Sequence, residues 1–192
     1  ASVSLKLECF QLTGSFKIRG AFFAMTRLSE AERSEGVVTC SAGNHGKAVA
    51  HVARELSIPA EIHVPRNVDE AKYGAMLALG AVVVRSATDS FDETEEVAKA
   101  EAAASGRAYL TAFDDDAILA ANGGTLAAEV LEDAPKARTF LLPVGGAGPA
   151  GQAAMAQGMG GAGGGARRPG GPGGRGGAFG GPTLVSVAVV QP

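Results

Sequence analysis

The sequence predicts an α/β fold in which helices pack against a mostly parallel sheet. Short runs of valine, isoleucine and leucine alternate along the chain with longer alanine-rich segments that carry charges at their ends. Three glycines stand just past predicted helices, where a backbone with positive φ favours glycine. They are Gly36, Gly80 and Gly106. Strands and helices that alternate at this spacing are joined by right-handed crossovers, which place the strands side by side in parallel.

The predicted strands are short and apolar, as expected of strands that are covered on both faces. They occupy residues 37–41, 60–65, 81–86, 108–112 and 139–145. Between them the spacing of apolar residues favours helices. These lie near 44–57, 69–79, 89–105 and 116–132. One more strand pattern, at 184–192, stands apart from the others because a glycine-rich tract precedes it.

The glycine-rich tract covers residues 158–182 and contains half of the 28 glycines of the chain. Such a composition cannot bury enough apolar surface to offset the entropy lost on ordering, so we expect a flexible linker. A single Arg-Gly-Gly within 167–181 is the alternative signal, since such segments bind RNA when repeated. One copy in an acidic chain favours the linker interpretation.

Charge and composition narrow the classes of partner. The formal net charge of −3 gives no reason to expect nucleic acid or an anionic membrane surface as the main partner. No apolar run is long enough to span a bilayer and no basic-then-apolar leader is present, so we expect a cytoplasmic protein. Cys9 and Cys40 are too few and too far apart for a disulfide framework or a zinc site, and we expect two reduced thiols.

Lys17 lies directly after a Thr-Gly-Ser turn, where a helix is predicted to begin. A cation at a helix N-terminus opposes the helix dipole, and a partly apolar pocket also disfavours the ammonium form. Both effects predict a lowered pKa for Lys17. A neutral amine is what Schiff-base chemistry requires. The alternative is a surface lysine that extends its amine into solvent.

Three glycine-containing turns stand where a strand or loop leads into a helix, at 13–17, 41–46 and 144–148. In open α/β sheets, ligands bind at the carboxyl ends of the strands, where helix N-termini present free N–H groups. Each turn alone is most often a packing feature. The three together indicate one anionic ligand with several charged groups.

These motifs resemble those of the fold-type II pyridoxal-phosphate enzymes, in the threonine/serine dehydratase branch that also contains the serine racemases. The matching text is KLE-x-x-Q-x-TGSFKIRGA (6–21), SAGNHGKAVA (41–50), FDDDAILAANGGT (113–125) and VGG (144–146). The resemblance extends from residue 5 to about residue 150. It implies the three-layer αβα, two-lobed architecture of the tryptophan synthase β-like enzymes, with an incomplete large lobe. On that basis 37–116 forms the small lobe, 1–36 and 117–157 belong to the large lobe, 158–182 is the linker and 183–192 a terminal strand.

The resemblance also implies roles for individual residues. Lys17 would carry pyridoxal phosphate as a Schiff base, with Phe16 packed near the ring, and Asn44 would bind the phenolic oxygen of the cofactor. Asparagine is also a good N-cap, and the two roles are compatible. The backbone N–H groups of Ser41, Ala42, Gly43, Asn44 and His45 would hold the substrate carboxylate. His45 itself is either a substrate contact or a packing residue.

The phosphate loop of the family corresponds to Gly145, Gly146, Ala147 and Gly148, whose successive N–H groups would bind the cofactor phosphate. Two residues depart from the family pattern. Alanine at 147 fits poorly where φ must be positive, and Pro149 removes one N–H donor. Both departures predict weakened phosphate binding.

The resemblance implies deamination of L-threonine or L-serine to 2-oxobutanoate or pyruvate plus ammonia. The partner would be a small amino acid, and a homo-oligomer is compatible with the family. A non-catalytic fragment or remnant, and a serine racemase-type relative, are the alternatives. Racemases of this branch carry a serine where this chain has Ala42, and a metal-binding glutamate where it has Gln191. We therefore predict no metal site.

Overall fold

A computed structural model of the chain describes residues 2–112, 115–141 and 186–191. Strands and helices alternate through most of this range. The strands are β1 (Ser2–Leu7), β2 (Val37–Cys40), β3 (Ala60–Val64), β4 (Val82–Arg85), β5 (Ala108–Tyr109), β6 (Thr139–Leu141) and β7 (Ser186–Gln191). The α-helices are α1 (Lys17–Thr26), α2 (Glu30–Glu35), α3 (Asn44–Leu56), α4 (Glu70–Ala78), α5 (Phe91–Ser105), α6 (Asp116–Leu119) and α7 (Leu126–Asp133).

Four strands form a parallel sheet in the order β4-β3-β2-β5. Strand β2 lies in the middle, and Val37 is aligned with Ala60 on one side and with Ala108 on the other. All four residues of β2 are buried, because helices cover both faces of the sheet. This is the fold class that the alternating pattern predicts, and every predicted strand and helix within the described residues is present. The prediction that all these strands are buried is wrong for β4, which lies at the edge of the sheet, and for β6, because most of their residues are exposed.

Helix α3 packs against α1, and this pair forms the main core next to β2. Small side chains on one face of α3 allow the two helices to approach closely. The buried residues of this cluster include Ile18, Ala21, Met25, Val37, Ala48, Val49, Val52 and Ala53. The apolar contact fixes the start of α1 relative to the start of α3, and both starts lie near the carboxyl end of the sheet.

The predicted helix at 116–132 is present as one unbroken helical segment with a wider, π-helical turn in its middle. Helix α6 passes into a π-helical turn at Ala120–Thr125, which leads directly into α7. Such single π-turns occur often at functional sites. The segment packs along α1, with Leu126 and Val130 of α7 buried in a small cluster of their own.

A second sheet has the order β1-β7-β6 and is antiparallel. Residue Ser2 pairs with Gln191, and Thr139 with Val190. The sequence pattern predicts β6 and β7 but not β1, whose polar residues alternate with exposed valine and leucine. The glycine positions agree with expectation, since Gly36, Gly80 and Gly106 all have positive φ, of 96°, 88° and 72°.

Within the described ranges, no helix is long and apolar enough to cross a membrane. Cys9 and Cys40 are both free thiols, as predicted. The glycine-rich tract at 158–182 lies outside the described residues, so the linker interpretation stays a prediction.

Candidate active site

The carboxyl ends of β2 and β5 lie side by side, and three chain segments meet there. Ser41 follows β2 and leads into α3, while Leu110 follows β5. Lys17, the first residue of α1, reaches the same place, because its amine bonds the carbonyl of Ala112 in the loop after β5. The sheet therefore brings together two of the three glycine-containing turns that the sequence marks. The third, at 144–148, lies outside the described residues.

Lys17 is half-buried, and its amine donates a hydrogen bond to the carbonyl oxygen of Ala112 at 2.9 Å. The ring of Phe16, itself buried, has its centroid 5.5 Å from the Lys17 Nζ. Burial lowers the pKa of Lys17 from 10.5 to about 8. The helix beginning at Lys17 and the lowered pKa are both as predicted. At pH 7 roughly a tenth of an amine with this pKa is uncharged, a much larger fraction than in a surface lysine.

His45 is buried, and its Nε2 lies 3.4 Å from the carbonyl oxygen of Leu110. A carbonyl can only accept, so Nε2 carries the hydrogen and Nδ1 presents a lone pair. Burial, together with the nearby charge of Lys17, lowers the pKa of His45 from 6.5 to about 4. The imidazole is therefore neutral at physiological pH. The carbonyl of Leu110 also accepts a hydrogen bond from the Thr39 hydroxyl at 2.6 Å. This bond fixes the loop that follows β5.

The start of α3 is held by Ser41 and not by Asn44. The Ser41 hydroxyl accepts the N–H of Gly46 at 2.8 Å and that of Gly43 at 3.2 Å. Gly43 occupies the N-cap position, and Asn44 is already the first helical residue. The alternative that Asn44 is the N-cap is therefore wrong. Among the described residues, the Asn44 side chain has no hydrogen-bond partner, which leaves its amide available to a ligand.

The predicted carboxylate cradle at 41–45 is only partly open. The N–H of Ser41 donates to the carbonyl of His63 at 3.0 Å, and that of Gly43 is taken by the Ser41 hydroxyl. The N–H groups of Ala42, Asn44 and His45 have no acceptor in the part of the chain that the structure describes. These three amides are the ones that remain able to bind an anion at the helix N-terminus.

Buried polar atoms without partners cluster around Lys17. In the described ranges there are four: Thr13 Oγ1, Ser15 Oγ, His45 Nδ1 and Asn122 Nδ2. Thr13 and Ser15 stand in the turn that leads into Lys17. His45 is close enough for the Lys17 charge to shift its pKa, and Asn122 binds the same helix start. Unpaired buried polar groups are costly, so this concentration marks a place built for polar ligand groups.

Two ion pairs anchor the helix that carries Lys17. Arg19 makes a two-pronged bond to Glu8, with Nε–Oε2 at 2.8 Å and Nη2–Oε1 at 2.9 Å. It also binds Glu129 of α7 through Nη1 at 2.6 Å and Nη2 at 2.8 Å. Glu8 is 2% exposed, so its charge depends on Arg19 for compensation. Arg19 holds the pKa of Glu129 at about 2.

Some predicted site residues cannot be compared with the structure. The phosphate-loop residues Gly145, Gly146, Ala147 and Gly148 lie outside the described residues, as do the first two residues of the 113–125 motif. Gln191 is described by its backbone, in β7. Among the described residues, no group of three His, Cys, Asp or Glu side chains is arranged to hold a metal ion.

Sequence reasoning missed several residues that shape the site. The hydroxyls of Thr13 and Ser15 lie inside the quoted TGSFK motif, and the signal was simply their polarity beside an apolar run. Asn122 lies within the quoted 113–125 motif, where an asparagine between alanine and glycine is unusual in a helix. The carbonyl groups of Leu110 and Ala112 could not have been found, because every residue carries a carbonyl and only the fold selects these two.

Comparison with known proteins agrees with this geometry. The sequence profile of the family described as "Pyridoxal-phosphate dependent enzyme" matches residues 1–168. The L-threonine ammonia-lyase of Thermotoga maritima is 41% identical over 146 residues, which are 76% of this chain and 36% of that protein. The catabolic L-threonine dehydratase of Escherichia coli is 36% identical over 146 residues, 76% of this chain and 44% of that protein. The chain thus spans about two fifths of the length of these relatives.

Solved structures show the same fold. Maize serine racemase is 35% identical and superposes with a TM-score of 0.74, covering 79% of this chain and 45% of the racemase. The processed form of threonine deaminase isoform 2 from Solanum lycopersicum is 35% identical, with a TM-score of 0.64 over 68% of this chain and 37% of the deaminase. By its fold, its lysine site and its sequence, the chain belongs to the family of pyridoxal-phosphate dependent enzymes.

Proposed function

We propose that the protein is a pyridoxal-phosphate dependent ammonia-lyase that converts L-threonine or L-serine to the 2-oxo acid and ammonia. One observation carries the proposal: the half-buried Lys17 amine has a pKa of about 8 and stands near buried polar groups that have no partner among the described residues. The relatives named as threonine ammonia-lyase and threonine dehydratase support the choice of substrate. A cytoplasmic location is part of the same proposal.

The residues present fit the cofactor. An aldehyde requires an uncharged amine, which Lys17 offers at physiological pH. A flat aromatic ring would pack beside Phe16, and its phenolic oxygen would receive the Asn44 amide, which is unused among the described residues. The unpaired hydroxyls of Thr13 and Ser15 add polar donors on the lysine side. Residues 145–148 are proposed to hold the phosphate.

When bound, the cofactor supplies an electron sink for the bond broken at the substrate α-carbon. The chain supplies the rest. The open N–H groups of Ala42, Asn44 and His45 would bind the substrate carboxylate at the start of α3, which orients the α-hydrogen. The Lys17 amine would then accept that proton at Nζ as the general base. Its lowered pKa makes the amine available in the neutral form that can accept it.

His45 is proposed to position the substrate, because it is neutral and presents an unpaired lone pair at Nδ1. Such a group can accept a hydrogen bond from a substrate hydroxyl or ammonium but adds no charge to the site. We propose the lobe division at 37–116, with the flanking parts in the larger lobe. Assembly into a homo-oligomer is proposed from the family resemblance alone.

A non-catalytic remnant is the second candidate, and the two departures from the family's phosphate-loop pattern, Ala147 and Pro149, favour it. One experiment separates the two. The purified chain is incubated with pyridoxal phosphate, reduced with borohydride and digested, and the labelled lysine is identified by mass spectrometry. The expected result is label on Lys17, none on Lys17→Ala, and unchanged labelling of Lys17 in the control Lys72→Ala. Absence of label on Lys17 at saturating cofactor overturns the enzyme proposal.

A further inference from the structure

Asn122 makes an unusual contact with the helix that begins at Lys17. Its side chain is fully buried in the π-helical turn, and its Oδ1 accepts the backbone N–H of Gly20 at 2.8 Å. Gly20 lies three residues after Lys17, in the first turn of α1. The bond therefore joins the 116–133 helical segment directly to the backbone that carries the lysine.

The start of α1 has no cap of its own. Phe16 occupies the N-cap position, and its side chain cannot accept a hydrogen bond. The N–H of Arg19 donates a hydrogen bond to the Phe16 carbonyl at 3.0 Å, and the N–H of Gly20 donates to Asn122 Oδ1. In a regular helix the N–H of Gly20 would bond the carbonyl of the N-cap residue Phe16, but here the Arg19 N–H bonds that carbonyl and Asn122 takes the Gly20 N–H. A side-chain cap is worth about 1 kcal/mol. Asn122 thus acts as a cap supplied from another helix.

The chain gives up local stability to keep this contact. A Cβ on Gly20 would lie 2.7 Å from Asn122 Oδ1, 2.9 Å from its Nδ2 and 2.8 Å from Ile118 Cγ2. Glycine is therefore required at position 20, although it is about 1 kcal/mol less favourable than alanine inside a helix. The Nδ2 of Asn122 is also buried without a partner in the described part of the chain, a further cost of roughly 1–3 kcal/mol. A residue kept only for stability would be apolar here.

We propose that Asn122 is a positioning residue that fixes the first turn of α1 and so holds the Lys17 amine in place. This proposal rests on the proposed function in one respect, which is that Lys17 is the reactive lysine. Groups near the amine in the described part of the chain include the Ala112 carbonyl, the Phe16 ring and the neutral His45 of α3. The charge of Arg19, on the same helix, is balanced by the carboxylates of Glu8 and Glu129.

The test measures the state of the Lys17 amine without any cofactor. The full chain is labelled with trace acetic anhydride over a range of pH, and the fraction modified at each lysine is read by mass spectrometry. In the wild type the midpoint for Lys17 should lie near pH 8. In Asn122→Ala the first turn is released, the amine gains solvent, and the midpoint should rise by about one pH unit.

A matched control separates positioning from loss of stability. Val130→Ala removes buried apolar volume from α7, in the same helical segment, and should lower the unfolding temperature while leaving the Lys17 midpoint unchanged. An equal midpoint in wild type and Asn122→Ala overturns the proposal. So does a Val130→Ala midpoint that moves as far as that of Asn122→Ala, because the effect would then follow stability alone.

A measurement on the wild type keeps the proposal testable if Asn122→Ala does not fold. Hydrogen exchange of the Gly20 amide should be at least about tenfold slower than that of the Asn44 amide, a first-turn group without an acceptor among the described residues. Equal exchange overturns the proposal. Failure of the proposed function is distinct, since it would appear as absent cofactor label on Lys17 in the wild type, whatever the acetylation midpoint.

Discussion

Lys17 and His45 bind carbonyl groups that are only two residues apart, those of Ala112 and Leu110. One loop after β5 therefore fixes the place of both side chains. Burial disfavours the charged form of each side chain, and the charge of Lys17 also opposes that of His45. At neutral pH the site therefore holds a neutral imidazole near an amine that gives up its proton more readily than a surface lysine does.

Replacing Lys17 with methionine should change how stability depends on pH. The folded state holds Lys17 with a pKa of about 8 and the unfolded state with one of 10.5, so the unfolded chain binds more protons between these values. Wild-type unfolding free energy should therefore gain a contribution as pH rises through this window. Lys17→Met lacks it, and should be more stable below pH 8 by on the order of 1–2 kcal/mol after solvent screening. Urea denaturation at pH 7 and pH 10 measures the difference, and equal pH dependence would contradict it.

His45→Gln should flatten the acid side of the same profile. The folded pKa of about 4 lies below the ordinary histidine value of 6.5, so the unfolded state binds the extra proton between these values. Stability of the wild type should fall as pH drops from 6.5 to 4, and His45→Gln should lose that part of the slope. Only the window above pH 4.5 is used, because the contribution of Glu129 changes below it, between the ordinary pKa of 4.5 and the folded pKa of about 2. His51→Gln, on the same helix, controls for the general effect of removing an imidazole, and an unchanged slope in His45→Gln would be the contrary result.

The parallel sheet and helix α1, which begins at Lys17, can be predicted from the sequence because both depend on local patterns. Buried strands are continuous apolar runs, and a turn followed by Lys17 places the helix start within one residue. Strand β1 cannot be predicted in this way. Its pattern is that of an edge strand, and its partner β7 is more than 170 residues away in the chain. A contact over that distance leaves little local signal.

The cap of α3 shows a second limit. Asparagine and serine are both good N-caps, and both stand in the SAGNHG turn, so propensity alone cannot choose between them. The backbone conformation determines which side chain is used. Gly43 has φ −163° and ψ −129°, and the Ser41 hydroxyl accepts the Gly46 N–H at the helix start, whereas the Asn44 side chain makes no such bond. Asn122 is a similar case, since its partner Gly20 is 102 residues away.

Arg19→Ala should be strongly destabilising because it leaves the carboxylate of Glu8 buried without compensation. We expect a loss of about 3–5 kcal/mol in the free energy of unfolding, the usual result of breaking a buried ion pair. Arg66→Ala is the matched control, since its partner Asp89 is exposed and such pairs contribute about 0–1 kcal/mol. Both are measured by urea denaturation. Similar losses for the two variants would mean that the Glu8 pair is no stronger than a surface pair.

Gly46→Ala should also destabilise the chain, for steric reasons. A Cβ at position 46 would lie 2.7 Å from Met76 Sδ, 3.1 Å from Ser41 Cβ and 3.2 Å from Ile62 Cγ2. Met76 and Ile62 are fully buried, so we expect a cost of about 1–3 kcal/mol from overpacking. Gly74→Ala is the control, because Gly74 lies in α4 with open space around it and alanine should stabilise the helix by up to about 1 kcal/mol. Changes of equal sign in thermal unfolding would contradict the packing argument.

With pyridoxal phosphate and L-serine, the protein should release pyruvate and ammonia and form almost no D-serine. Racemisation needs an acid/base group on each face of the substrate, since the proton leaves from one side and returns on the other. Lys17 can serve one face. The residue that would serve the other face in racemases of this branch is replaced by Ala42, which carries no proton. Loss of one such group typically costs about 10²–10⁴-fold in the step it serves.

The matched pair Ala42→Ser and Ala42→Gly tests this directly. Position 42 stands in the turn before α3, next to the open N–H groups of Asn44 and His45, so a hydroxyl there would stand beside the proposed carboxylate cradle. Ala42→Ser should raise the ratio of D-serine to pyruvate at least about tenfold, whereas Ala42→Gly should leave it unchanged. Chiral chromatography of the amino acid and an assay of the 2-oxo acid give both quantities from one incubation. D-serine formed as fast as pyruvate by the wild type would contradict the dehydratase assignment, because it would require a second base other than residue 42.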